Sequence, residues 1–414
     1  MPAKYMIDEE KLDKLASLAV NTGLSIKAGQ DLLITSPVEA LPLIRRIALH
    51  AYKSGANLVI PIFSDPELTL TRYKHAPESS FDKAPVWLYK GMAEAFDANT
   101  ARLAIVGDDP MLLESQDPEK IGRSNKAISK ASKPARESIT SFNINWNILA
   151  WPGSAWAKRI FPSLPIAEAQ NHLAEAIFSA SRVNTPNPEE AWAQHNANLL
   201  KRSSWLTKQN FEYLHFTGPG TDLKVGLAEN HSWMGGASKC QNGITCNPNI
   251  PSEEVFTTPH RLKVEGTVCS TKPLSYQGTL IDEIRVTFKE GKIIDAKASK
   301  GEEVLKKVLD IDEGARRLGE VALVPDSSPI SQSNLLFYNT LFDENAACHI
   351  ALGQCYSKCF KDGNKITKKQ IKQFGGNSSM IHIDWMIGSK DISIDGLGYK
   401  DTSTPIFRGG EWVD

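Results

Sequence analysis

The chain has 414 residues, of which 41% are apolar and 23% charged, with a formal net charge of −1. That length exceeds one ordinary core and predicts two domains, and the composition excludes disordered and collagen-like classes. Lysine and arginine are scattered rather than clustered, which leaves no electrostatic footprint for nucleic acid.

The opening residues MPAKYMIDEEKLDK carry charges where a secretion signal would carry its apolar stretch. With no apolar run approaching about eighteen residues, the expectation is a cytoplasmic protein that does not engage a membrane. An amphipathic helix over 9–22 leads the chain, followed by an apolar strand at 31–35, a helix over 38–54 and the strand NLVIPIF. ARLAIVGDD at 101–109 and FNINWNILAWP at 142–152 read as further buried strands, with charged helical sequence between them. Strands alternating with helices predict a doubly wound α/β N-terminal domain over residues 1–185, built on a parallel sheet. It contains neither GxGxxG nor GxxxxGK[ST], so no nucleotide cofactor is expected. Trp146, Trp151 and Trp156 read as packing residues.

Helices over 167–181 and 189–208, the second opened by NTPNPEE, flank a boundary near 182–188. Residues 186–414 then form an α+β, β-rich C-terminal domain. Its strand-like segments are EYLHFTG, TDLKVGL, HRLKVEGTV and IRVTFKEGKIIDAKA, the last a hairpin turning at Glu290 and Gly291. A helix over 302–309 and another opening at Asp312 interrupt them, and the lysines of KGEEVLKK and KKQIK read as solvated faces. The six cysteines, Cys240, Cys246, Cys269, Cys348, Cys355 and Cys359, form no CxxC pair. That argues for free thiols and against a zinc ribbon.

Residues able to bind metal recur in this domain inside apolar or turn-rich segments. Glu253 and Glu254 lie in PSEEVF, Glu320 in LGEVALV, His349 in AACHIALG, and His382 with Asp384 in SSMIHIDWMIG. An ionised carboxylate in such surroundings is costly unless it is paired or coordinates a cation. If 379–387 is a strand, the H-x-D spacing turns His382 and Asp384 to one face, because residues two apart share a face. A mixed carboxylate and imidazole set suits zinc, cobalt or manganese, and several carboxylates can hold two ions roughly 3.5–4 Å apart. Singly, each of these residues reads as a solvated loop group or a satisfied core polar group; together they point to a hydrolytic metal site. Glu253 and Glu254 are adjacent, and on an extended segment they face opposite ways, so both enter one site only through a bend.

PSEEVFTTP, LGEVALV, HIALGQCY and IHIDWMIGS, in that order, resemble the signatures of the thermophilic-type metallo-aminopeptidases, the family of aminopeptidases T and S. KAGQDLLI, AWPGSAWAKRIFP and NTPNPEEAW extend the resemblance to the N-terminal half, so it covers nearly the whole chain. It implies an exopeptidase that removes the N-terminal residue of short peptides. It also implies two divalent ions in the C-terminal domain, zinc or cobalt with manganese or magnesium as alternatives, and a homodimer whose site opens into an enclosed cavity. Carried onto this chain, the ligands are Glu254, Glu320, His349, His382 and Asp384. Glu253 is the general base, although the reverse assignment of the two glutamates stays open. Tyr356 joins the site as a neutral phenol donating to the developing oxyanion. Partners are then peptides with a free N-terminus, and neither nucleic acid nor membrane.

Cys348 and Cys355, each just before a site residue, read as small buried side chains. His260 reads as part of a loop entering a strand and His231 as part of a surface turn. The competing reading is a non-catalytic metal- or ligand-binding protein on the same two-domain frame. An open coordination position beside a free carboxylate would favour the enzyme.

Overall fold

Asp8 opens the first helix, α1 (Glu9–Leu18), by accepting from the backbone N–H groups of Glu10 and Lys11, as a short acceptor side chain does at an N-cap. The computed structural model describes residues 7–276, 278–363, 365–398 and 402–413. The helix stops short of the expected residue 22, and a wider π-type turn over Ala19–Leu24 takes its place. Gly23 in that turn lies against Asn147, where a Cβ would come within 2.9 Å of the side chain.

Strands and helices then alternate: β1 (Leu32–Pro37), α2 (Leu41–Lys53), β2 (Val59–Ser64), α3 (Pro66–His75), α4 (Val86–Asp97), β3 (Ala101–Val106), α5 (Pro118–Thr140), β4 (Trp146–Ala150), α6 (Ser154–Ile160), α7 (Ile166–Ala180) and α8 (Pro188–Gln209). Both α3 and α5 begin at an Asp-Pro-Glu triplet, in which the aspartate caps the helix and the proline takes its first position. The strands pair in parallel in the order β2-β1-β3-β4, which is the expected α/β sheet. Trp151 and Trp156 are buried, while Trp146 is half-buried with its ring 5.5 Å from that of Phe142.

One unit of the chain comprises Met1–Gln194 and Ala237–Pro251, and the second comprises His195–Gly236 and Ser252–Asp414. Beyond α8 the chain is mainly β: β5 (Tyr213–Gly218), β6 (Thr221–Leu227), β7 (Ser238–Lys239), β8 (Thr245–Cys246), β9 (Val255–Thr257), β10 (Pro259–Cys269), β11 (Leu274–Tyr276), β12 (Thr279–Ile281), β13 (Arg285–Lys289) and β14 (Lys292–Lys297). α9 (Glu302–Leu309), β15 (Leu318–Leu323), α10 (Pro329–Gln332), α11 (Thr340–Asp343), β16 (His349–Gly353), α12 (Lys368–Gln373), β17 (His382–Met386), β18 (Ser393–Leu397), β19 (Ser403–Arg408) and β20 (Glu411–Trp412) complete it. The hairpin β13–β14 turns at Glu290 and Gly291, both at positive φ, with Lys289 opposite Lys292; that is the geometry a two-residue turn between right-twisted strands requires.

Two expectations need correction. The helix opening at Asp312 is a single 3₁₀ turn, Glu313–Arg316, because the chain turns extended at Arg317 and enters β15 at Leu318; the Asp312 carboxylate that caps it also accepts from Ser379 and Met380. His231 is not in a surface turn but buried at 3% exposure, with Nδ1 2.8 Å from the Ala228 carbonyl.

Two antiparallel sheets organise the second unit. The larger runs β14-β13-β10-β6-β5-β18-β19-β20, and the smaller runs β17-β16-β15-β9. In the smaller sheet, β15 and β16 are buried along their whole length, so one face has to be apolar and the other has to find partners for its polar groups. Val255, Val321, Leu323, Ile350, Leu352, Ile383 and Trp385 belong to the apolar core. Each such side chain contributes about 1.5–3 kcal/mol by burial, which anchors the sheet while its opposite face carries ionisable groups.

Candidate metal centre

The register of the small sheet determines what that opposite face presents. Ala351 of β16 is paired with Glu320 of β15 on one side and with Asp384 of β17 on the other. His349 lies two residues before Ala351, His382 two before Asp384, and Glu254 two before Phe256, which is paired with Ala322. Residues two apart on a strand share a face, so Glu320, His349, His382 and Asp384 project from one side, and Glu254, just before β9, joins them at His349. The small side chains of Ala322 and Ala351 leave room between them. Gly353, opposite His382, sits at φ +102, and a Cβ there would lie 2.2 Å from the Ile381 carbonyl, so only glycine lets the strands close at this point.

The side chains converge as two groups that share one residue: Glu254, Glu320 and His349, and Glu320, His382 and Asp384, each with ligand atoms within 4.8 Å of one another. His349 Nε2 lies 3.1 Å from Glu254 Oε2 and 3.6 Å from Glu320 Oε1. His382 Nε2 lies 3.5 Å from Glu320 Oε2 and 3.4 Å from Asp384 Oδ1. Glu320 thus turns one oxygen to each imidazole. The rings are oriented from behind, His349 Nδ1 by the Ala347 carbonyl at 3.1 Å and His382 Nδ1 by the Gln354 carbonyl at 2.7 Å. That is the arrangement that frees the Nε2 of a metal-binding histidine.

The electrostatics call for cations. Glu344, just after α11, is a carboxylate that sequence reasoning missed; burial and the charges of Glu254 and Asp384 hold its pKa well above the ordinary value. Burial likewise raises Glu254. Burial alone would lower His349 and His382, but the surrounding carboxylates override it and hold both well above the ordinary histidine value. Four acidic side chains, Glu254, Glu320, Glu344 and Asp384, thus gather about two imidazoles, and ionised carboxylates buried together are costly without a cation. Glu254 Oε2 and Asp384 Oδ1 are buried and, among the described residues, have no well-aligned hydrogen bond beyond their approach to His349 and His382, although a buried carboxylate oxygen normally has a full partner. Divalent ions fit this donor set of hard oxygens and imidazole nitrogens.

Tyr356 stands beside the cluster, its ring 4.8 Å from that of His382 and edge-on to Phe256 at 5.9 Å. The residue is 41% exposed, but burial around the phenol and the charges of Glu320 and Asp384 keep its pKa well above the ordinary value. Glu253 is buried, with Oε2 3.8 Å from His195 Nε2. Nothing in the sequence near His195, inside a long polar helix, marked it. Cys348 and Cys355 are buried, as expected, and burial pushes their thiols up to about 12 and about 11, which leaves them unreactive. His260 is turned to its own backbone, Nδ1 accepting from Leu262 N–H at 3.1 Å.

A family model described as thermophilic metalloprotease (M29) matches residues 8–412. Aminopeptidase T of Thermus thermophilus is 49% identical over 405 residues, which cover 98% of this chain and 99% of that protein. Aminopeptidase 2 of Geobacillus stearothermophilus is 44% identical over 98% of both chains. The solved structure of wild-type AmpT from Thermus thermophilus superposes with a TM-score of 0.94, at 49% identity, over 98% of this chain and 100% of that one.

Proposed function

The chain belongs to the thermophilic metalloprotease (M29) family, and from that membership we propose that it releases the N-terminal residue of short peptides at a site where Glu254, Glu320, His349, His382 and Asp384 hold two divalent ions. It is a metallo-aminopeptidase, a hydrolase of the exopeptidase class. The observation that carries the two-ion reading is Glu320, which belongs to both ligand groups and faces each with a different oxygen. Zinc or cobalt suits this mixture of carboxylate and imidazole. Bound divalent ions supply Lewis acidity toward the scissile carbonyl and acidify water enough for attack near neutral pH.

The chain's own groups do the rest. Glu254 lies 3.1 Å from His349, which supports Glu254 as the ligand and leaves its buried neighbour Glu253 for the base. In this division Glu253 takes the proton of the attacking water and passes it to the leaving amine. Tyr356, kept protonated by burial and by its carboxylate neighbours, donates a hydrogen bond to the oxygen on which charge develops. The small sheet holds Glu320, His349, His382 and Asp384 on strands, so that part of the site is organised before substrate arrives.

The test is hydrolysis of leucine p-nitroanilide by metal-stripped protein, with and without added cobalt or zinc, set against the N-acetylated substrate. Metal-restored cleavage of the free-amine substrate alone is the expected result. Verified metal binding with cleavage of neither would replace the proposal with a non-catalytic metal-binding protein.

A further inference from the structure

Glu253 and Glu254 precede β9, which begins at Val255, so this segment lies outside the strand ladder that fixes the other ligands. Its backbone is held in a different way. The carbonyl of Ser252 lies 2.7 Å from His195 Nε2, and the N–H of Glu253 donates to Asn345 Oδ1 at 2.7 Å. That carbonyl and that N–H belong to one planar peptide group. A hydrogen bond at each edge fixes the plane, and any rotation of it breaks both.

We infer that His195 and Asn345 are positioning residues, a two-point clamp on the Ser252–Glu253 peptide that aims Glu254 at the ligand cluster and Glu253 at the reacting water. The inference rests on the roles proposed above for those two glutamates. Asn345 is itself fixed. It is fully buried, its Nδ2 donates to the Leu341 carbonyl at 3.0 Å, and its own carbonyl accepts from Ser328 Oγ at 2.9 Å. His195 comes from α8, far away in sequence, and its Nε2 must carry the proton to donate to a carbonyl, which leaves that N–H 3.8 Å from Glu253 Oε2. The same ring therefore touches the peptide and lies near the carboxylate it orients. Ser252, Glu253 and Glu254 are all buried, so water does not replace a lost clamp bond at bulk concentration.

The clamp is tested with full-length protein carrying His195→Gln, His195→Asn, Asn345→Ala and the His195→Asn/Asn345→Ala pair, each loaded with cobalt. Glutamine reaches the Ser252 carbonyl with an amide N–H; asparagine is too short. His195→Asn is expected to lower kcat about 10–100-fold, the range for groups that orient metal ligands, with KM within about twofold of the parent. It should also change the cobalt visible absorption spectrum. His195→Gln is expected to recover most of both. The double variant should lose little more than the worse single one, because both residues act on one peptide group. Parental kcat and spectrum in His195→Asn, or losses that simply multiply in the double variant, would overturn the clamp. If the parent protein binds cobalt but cleaves no free-amine substrate, the proposed function fails; the spectra of the Asn and Gln variants still decide whether the clamp exists.

Discussion

Glu320 is the residue on which the two ligand groups meet, so its substitution separates a shared site from two independent ones. Glu320→Ala is expected to lower kcat/KM by more than about 100-fold and to weaken binding of both ions; isothermal titration showing one undisturbed ion would contradict the sharing. His382→Ala and Asp384→Ala should each abolish cleavage in protein whose circular dichroism is unchanged, and a double-digit percentage of retained activity in either would sink the site. Tyr356→Phe removes one donor to the oxyanion, a change that costs about 10²–10³-fold in kcat; a kcat within tenfold of the parent would make Tyr356 a wall of the site and nothing more. The H-x-D pair was legible because a strand period of two needs no tertiary information. Glu344 was not. FDENA reads locally as a polar turn, and only the approach of β9, β15 and β17 surrounds that carboxylate with Glu254, Glu320 and Asp384.

Elements carry the second set of expectations. Asp312 accepts from Ala315 N–H at 2.8 Å, from Met380 N–H at 2.7 Å and from Ser379 Oγ at 2.8 Å, so one carboxylate caps a turn and pins the approach to β17. Asp312→Ala is expected to cost about 0.5–2 kcal/mol, the range for a lost cap, and to speed amide exchange across 379–382 relative to the rest of the sheet. Exchange unchanged there would show that β17 is held by its ladder alone. His231, in the segment after β6, supplies a pH dependence. Burial, the leading cause, together with the Lys361 charge, lowers its pKa below the ordinary 6.5. The unfolded chain therefore binds a proton there before the folded chain does. Its contribution is fully present above pH 6.5 and is lost as pH falls below that value toward the lower folded pKa. In urea melts from pH 8 to 5, His231→Gln is expected to show a shallower acid decline than the parent, and parallel curves would refute this. The sequence offered β17 as a strand on the condition that 379–387 is extended and left LGEVALV as an apolar segment, but it predicted a helix after Asp312. The aspartate is a good helix cap in either case; its distant partners Ser379 and Met380, and the pairing of the strand that begins at Leu318, are invisible to a local reading.

At the scale of the whole molecule, every residue expected to hold metal falls in the unit formed by His195–Gly236 and Ser252–Asp414. Binding to the folded state stabilises it by mass action, about 2.7 kcal/mol per site at a hundredfold excess over Kd. Chelation is therefore expected to lower the melting temperature and to raise hydrogen exchange in that unit, with β1–β4 of the other unit unchanged; uniform loss of protection over both would show that they unfold together. Among the described residues no helix is long and apolar enough to cross a membrane, in line with the scattered charge. The sequence by itself determined the parallel α/β sheet, the β-rich second part, the hairpin at Glu290 and Gly291 and the residue types of the candidate ligands, since periodicity, capping and turn chemistry act within a few residues. Only the tertiary structure decided that Glu254 lies against His349, that Glu320 faces both imidazoles, and that His195 and Asn345 hold the Ser252–Glu253 peptide. Those facts depend on strand register and on segments far apart in the chain, where pairing between backbone groups brings together residues that no local pattern relates.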